Sequence, residues 1–187
     1  RELPMGQKRA DIIIVTKTPS LFSPLERRRV SRELKPKPYQ KIYFSFIKYG
    51  DIVPVYKTEI SQPTGKHYYF ENKYSVLLLT GIANSSYLED YLKDKIYELI
   101  PFRFPDHHQF TVTDVNKALK IYDNIINKNK IILTTEKDAM RLRDTNLKDI
   151  TMTLQIYYIT IEIGFHQDEE IFRERILGFV KAGIVNG

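Results

Sequence analysis

The chain has 187 residues, 42% hydrophobic and 28% charged, with no cysteine, a net charge of +6 and a pI near 9.3. That is ordinary globular composition, long enough for one large domain or two small lobes. Lack of cysteine excludes disulfides, zinc-thiolate sites and cysteine nucleophiles, and no apolar run reads as a membrane span or a signal peptide.

The chain opens on Arg1-Glu2-Leu3-Pro4 without an initiator methionine, as a fragment or a mature product would. Residues 10–16 are a short β-branched run that predicts a buried strand. Ser23-Pro24 predicts a helix start, with serine as cap and proline in the first helical position, and Pro36 and Pro38 end that helix. It carries the densest basic patch, Arg27, Arg28, Arg29 and Arg32. Such a patch suits phosphates, nucleic acid or anionic lipid headgroups, and equally a solvated helix face. Residues 41–48 and 51–58 are strand-like runs on either side of Tyr49-Gly50, and predict a β-hairpin within a linker over 41–60. Gln62-Pro63-Thr64-Gly65 reads as a turn.

Residues 74–80 predict a second buried strand ending in Gly81-Ile82-Ala83-Asn84, and 86–95 a helix capped by Ser85 or Ser86. Residues 98–102 predict a strand, and 112–126 an amphipathic helix with Val115, Leu119, Tyr122 and Ile126 on one face. Thr111 or Thr113 would cap it, with Asp114 in its first turn. A third buried strand at 130–133 leads into Thr134-Thr135-Glu136-Lys137-Asp138, which caps a helix through Leu142. A strand at 155–163 and a helix at 169–180 close the series. This alternation predicts an α/β fold: a mostly parallel sheet flanked by helices, a Rossmann-like α/β/α sandwich with a β-hairpin linker.

In such sheets ligands bind beyond the carboxyl ends of the strands. Four polar segments lie there: Thr16-Lys17-Thr18, Gly81 to Asn84, Asp106-His107-His108 and Thr134 to Asp138. Together they suit the lining of one cleft, and each is also explained as a strand-to-helix turn with a capping residue. The Asp106-His107-His108 run holds two of the four histidines. A histidine beside a helix N-terminus can move protons or hold an anion at neutral pH, or simply brace its loop.

Several of these segments, taken in order, resemble the tetraacyldisaccharide 4′-kinase family. They are Arg1-Glu2, Arg9-Ala10-Asp11-Ile12-Ile13-Ile14-Val15-Thr16-Lys17, Gly81-Ile82-Ala83-Asn84, Phe104-Pro105-Asp106-His107-His108 and Leu133-Thr134-Thr135-Glu136-Lys137-Asp138-Ala139. The resemblance covers nearly the whole chain and is nearest the Bacteroidetes branch. It implies an ATP- and Mg2+-dependent kinase that places the 4′-phosphate on the lipid A precursor, at the cytoplasmic face of the inner membrane of Gram-negative bacteria. The chain has no G-x-x-x-x-G-K-[ST] phosphate loop. The family's aspartate-rich segment and N-terminal anchor are absent too. The resemblance is therefore to the C-terminal half of such an enzyme, with residues 1–40 adjoining the other half, 61–187 forming an α/β/α domain, and no activity expected from the fragment alone.

The resemblance implies that His107, supported by Asp106 and His108, pairs with an aspartate of the other half to deprotonate the sugar hydroxyl. It places Thr16, Lys17, Thr135, Glu136, Lys137 and Asp138 where related sheets contact nucleotide. Arg1, Glu2 and Asn84 are substrate candidates, and Arg27, Arg28, Arg29 and Arg32 candidates for an anionic membrane. No metal site is expected within this chain. Three rival readings are a metal-dependent phosphoesterase, a nucleic-acid binder and a non-catalytic α/β interaction domain. The first would need further carboxylates and a second Asp-His cluster, and the second lacks a recognised motif.

Overall fold

The structure, a computed structural model, describes residues 4–56, 65–144 and 146–185. Arg1, Glu2 and the predicted turn at Gln62-Pro63-Thr64 lie outside the described residues. The chain divides into two units, residues 1–48 with 162–187, and residues 49–161. Six strands form a mixed, mostly parallel sheet flanked by helices.

In the first unit a 3-10 helix, Pro4–Arg9, precedes strand β1, Ile12–Val15, which runs parallel to the start of β2, Lys41–Pro54. Between them lies helix α1, Pro24–Leu34. Its start follows from the sequence: Ser23 accepts from the Glu26 N–H and Glu26 reaches back to the Ser23 N–H, a complete capping box. Lys35 ends it in the left-handed region, φ 47°. Gln40 is buried and ties the unit together by donating to the carbonyls of Gln7 and Ala10. The C-terminal part of β6, Ile156–Phe165, and helix α7, Glu169–Val185, complete the unit. Phe172 of α7 packs on Phe165 and Tyr43, at 4.7 and 5.0 Å between ring centroids.

In the second unit the strand order is β2-β6-β5-β3-β4, with β3 at Ser75–Thr80, β4 at Glu98–Arg103 and β5 at Lys130–Thr135. All neighbours from β6 to β4 are parallel. β2 runs antiparallel to β6, since Val55 donates to Ile156 while Thr160 donates to Asp51. Every residue of β3 is buried, because the sheet is covered on both faces. Val76 and Leu78 face a core with Tyr69 of α2 (Lys66–Glu71) and with Leu88 and Leu92 of α3 (Ser86–Lys93). Leu77 and Leu79 face another core, with Val115 and Ala118 of α4 (Val112–Asp123) and Ala139 and Leu142 of α5 (Glu136–Leu142). The unit is thus a three-layer α/β/α arrangement; a short helix α6, Lys148–Thr151, lies between α5 and β6.

Three expectations change. Tyr49-Gly50 does not turn a hairpin, because residues 41–54 form one strand paired with β6 on both sides of Gly50. The glycine there reflects close approach: a Cβ on Gly50 would collide with the Thr160 hydroxyl. Ile126 is not on the buried face of α4; the helix ends at Asp123, leaving Ile126 98% exposed and Ile125 buried. At the start of α3, Ser85 holds the expected N-cap position but its side chain makes no capping hydrogen bond. Asn84 accepts from the Ser86 N–H and hydroxyl, while Ser85 donates to Glu89.

Candidate functional site

The parallel register sets Thr80 opposite Arg103 and Leu79 opposite Thr134, so the segments that follow β3, β4 and β5 emerge side by side. Three of the four predicted polar segments therefore meet in the second unit. The centre of the meeting is Asp138, which has no exposed surface. One carboxylate oxygen accepts from the Gly81 N–H at 3.0 Å and from the Thr135 hydroxyl at 2.8 Å. The other accepts from the Arg141 guanidinium at 2.8 Å, and the same nitrogen donates to the Gly81 carbonyl at 3.0 Å. Thr135 also caps α5 by accepting from the Asp138 N–H. Gly81 is small for a reason: its Cβ would lie 3.3 Å from an Asp138 oxygen and 3.4 Å from the Phe110 ring.

The Asp-His-His loop is anchored to this centre. Phe104 donates to the Thr80 carbonyl, and the His107 N–H donates to the Gly81 carbonyl at 3.2 Å. His107 occupies the left-handed region, φ 62°, which histidine tolerates better than most residues but which still carries strain. The turn it makes sends the two histidines apart. The His107 side chain is 72% exposed and that of His108 26%. Lys137 Nζ lies 3.5 Å from His107 Nε2 and Arg141 Nη2 lies 3.4 Å from His107 Nδ1. A neutral imidazole offers one lone pair, so only one of these contacts is a hydrogen bond at a time. Asp106 closes the group, accepting from the His107 N–H and lying 3.6 Å from Lys137 Nζ. The surface cluster is therefore His107, Lys137 and Asp106, backed by the largely buried Arg141 and resting on buried Asp138.

His108 is placed as a brace. Its ring stacks on Phe104 at 4.5 Å and meets Phe110 edge-on, and its Nε2 lies 2.9 Å from Asp114 Oδ2. The carboxylate only accepts, so Nε2 carries the proton. That oxygen also accepts from the Thr111 N–H and hydroxyl, while Thr111 caps α4. Burial pushes the Asp114 carboxyl up, but the hydrogen bonds from His108 and Thr111 outweigh it and hold the group below the usual aspartate range. A folded pKa below the unfolded value stabilises the fold above the unfolded value, near ~4, and that contribution is lost as pH falls through the folded value. Urea midpoints of the wild type are therefore expected to fall more steeply below about pH 4 than those of Asp114→Asn, which lacks the titrating group. Parallel curves would refute this.

The remaining candidates are divided between the two units. Glu136 is exposed beside Lys137, and Asn84 is engaged in its turn with Ser86. Thr16 and Lys17 belong to the first unit, exposed at the end of β1, with Lys17 at φ 57°. Arg27, Arg28, Arg29 and Arg32 are also in the first unit, on α1. Sequence reasoning missed Arg141, whose signal was its place one turn after Asp138 in a helix beginning at a strand end.

Residues 1–181 match the family model described as tetraacyldisaccharide-1-P 4′-kinase. The chain belongs to this family. Tetraacyldisaccharide 4′-kinases from Parabacteroides distasonis and Phocaeicola vulgatus are 34% and 33% identical over 100% and 97% of the chain. The tetraacyldisaccharide 4′-kinase of Flavobacterium johnsoniae is 35% identical over 98% of it. These are Bacteroidetes-type members, and the chain spans about half the length of the curated relatives it matches, 50%, 49% and 49% respectively. A crystal structure titled as the "apo" form of LpxK from Aquifex aeolicus in complex with ATP is similar at 14% identity. Its TM-score is 0.40, over 86% of this chain and 49% of that one.

Proposed function

We propose that the whole protein is an ATP-dependent kinase that phosphorylates the 4′-hydroxyl of the tetraacyldisaccharide 1-phosphate precursor of lipid A. The observation that carries this is the family match over residues 1–181. ATP with Mg2+ supplies the phosphoryl group and neutralises charge as it moves. Among the described residues no group of three or more His, Asp or Glu is placed to hold a metal, and the chain has no phosphate loop. We place the cradle for the nucleotide phosphates in the part of the protein outside this chain, because the sequence carries no G-x-x-x-x-G-K-[ST] run. The exposed cluster fits a supporting role. His107 offers a ring nitrogen to orient a carboxylate base from that other part, and Lys137 and Arg141 supply positive charge beside an anionic reactant. Thr135 and Asp138 act indirectly, by fixing α5 and with it Lys137 and Arg141.

Among the described residues no helix is long and apolar enough to cross a membrane. The lipid substrate calls for peripheral binding at the cytoplasmic face of the inner membrane of a Gram-negative bacterium, with the arginines of α1 toward anionic headgroups. On α7, Ile171, Ile176, Leu177, Phe179 and Val180 are exposed. This apolar stretch suits cover by the part of the protein outside the chain.

The test is transfer of labelled γ-phosphate from ATP to the disaccharide lipid in detergent. The full-length protein is expected to turn over and residues 1–187 alone to give no product. A full-length protein that folds but transfers nothing would overturn the kinase reading. Turnover by the short chain would overturn the assignment of the phosphate cradle.

A further inference from the structure

The arginines of α1 are not equivalent. Arg29 points along the outer face and lies 3.9 Å from Glu33. Arg27, Arg28, Ser31 and Arg32 fall on another face, one helical turn apart in pairs. They line an open pocket of about 570 Å³ in the first unit, together with residues 42–44 of β2, His166 and the turn before α7. No carboxylate pairs with Arg27, Arg28 or Arg32 among the described residues. Arg28 and Arg32 are exposed and Arg27 is half-buried, so the three guanidiniums face solvent at the rim of a concave surface and are open to an anion. Asp168 is the one acidic residue of the lining, so the pocket keeps a positive balance.

His166 is held rigidly. Its backbone N–H donates to the Phe44 carbonyl, and its ring packs on Phe46 at 4.6 Å and on Phe22 at 5.6 Å. Its Nε2 lies 2.9 Å from the Thr18 hydroxyl, which donates its own proton to the Ser45 carbonyl. Burial and then the charge of Arg27 push its pKa down, against a hydrogen bond with the Pro19 backbone that pushes it up.

We propose that the pocket lined by Arg27, Arg28, Ser31, Arg32 and His166 is a binding site for a single phosphomonoester group. Guanidinium groups match phosphate oxygens with paired donors, and Ser31 adds a hydroxyl. A group seated there satisfies the three arginines together, which a flat contact with a charged surface does not. The site lies apart from the His107 cluster in sequence and does not depend on the proposed kinase activity.

The test uses the full-length protein, wild type and Arg27→Gln, Arg32→Gln and Arg29→Gln. Inorganic phosphate is titrated while the His166 ring resonances are followed by NMR. Phosphatidylcholine vesicles with and without phosphatidate are then tested for binding, alone and with free phosphate as competitor. A saturable shift of His166 is expected, weakened about tenfold or more in Arg27→Gln and Arg32→Gln and unchanged in Arg29→Gln. Phosphatidate-dependent vesicle binding competed by free phosphate identifies a lipid headgroup as the source. A saturable shift without vesicle binding identifies a soluble phosphate ester. No saturable shift in the folded wild type, or equal weakening by Arg29→Gln, overturns the proposal. Phosphate held elsewhere in the protein does not follow Arg27, and a failed kinase assay leaves this measurement unaffected.

Discussion

His107→Ala in the full-length protein is expected to lower kcat by about a hundredfold or more while the thermal midpoint falls only by what the backbone strain at this position costs. The side chain is 72% exposed and meets Asp106, Lys137 and the edge of Arg141 at 3.4 Å or more, so little folding energy depends on it. What it offers is a ring nitrogen on a backbone fixed through Gly81. Alanine tolerates φ 62° poorly, so His107→Asn is the companion variant, removing the imidazole while accepting the left-handed backbone. Both variants should lose activity alike. His108→Ala should behave in the opposite sense. It removes the stack on Phe104 and a donor to Asp114, and should lower stability by about 1–3 kcal/mol with residual activity following the folded fraction. Near-normal turnover in both His107 variants would mean that the loop only braces the fold.

The second large effect concerns Asp138→Ala. The carboxylate is fully buried and accepts from the Gly81 N–H, the Thr135 hydroxyl and Arg141. Removing it leaves a guanidinium whose side chain is 14% exposed without its counter-charge and two further donors without an acceptor. Breaking one side of such a pair costs about 3–5 kcal/mol, far more than its net contribution, because the partner's desolvation is no longer offset. Urea unfolding should show that loss, and Arg141→Ala combined with Asp138→Ala should cost less than the sum of the single changes. A loss under about 1 kcal/mol for Asp138→Ala would show that water replaces the carboxylate.

Period and punctuation made the second unit legible. Residues 76–79 and 131–133 are short, bounded apolar runs of the kind that doubly covered strands use, and Thr111 and Thr135 were readable as caps. Tyr49-Gly50 misled because a glycine between two alternating runs has two physical meanings. It can supply a turn, or it can make room for a neighbouring strand, and only Thr160, far off in sequence, decides between them. At the site the residue types were legible and their division of labour was not. Nothing local distinguishes His107 from His108; the distinction comes from one left-handed φ and from Phe104 and Asp114 on either side. Arg141 was invisible for the same reason, since its partners Gly81 and His107 come from other strand ends.

The complete burial of β3 also bears on how the chain is made. Ser75 to Thr80 is satisfied on one edge only by β4 and on the other only by β5, whose Lys130 faces Ser75. At a synthesis rate of about 5–20 residues per second, that apolar strand waits several seconds after its own appearance for its second neighbour. Parallel pairings at such separation are slow to nucleate, because loop closure comes before any contact can reward it. A nascent chain stalled between residues 80 and 130 thus displays a sticky edge, and the strand is where aggregation during expression would begin.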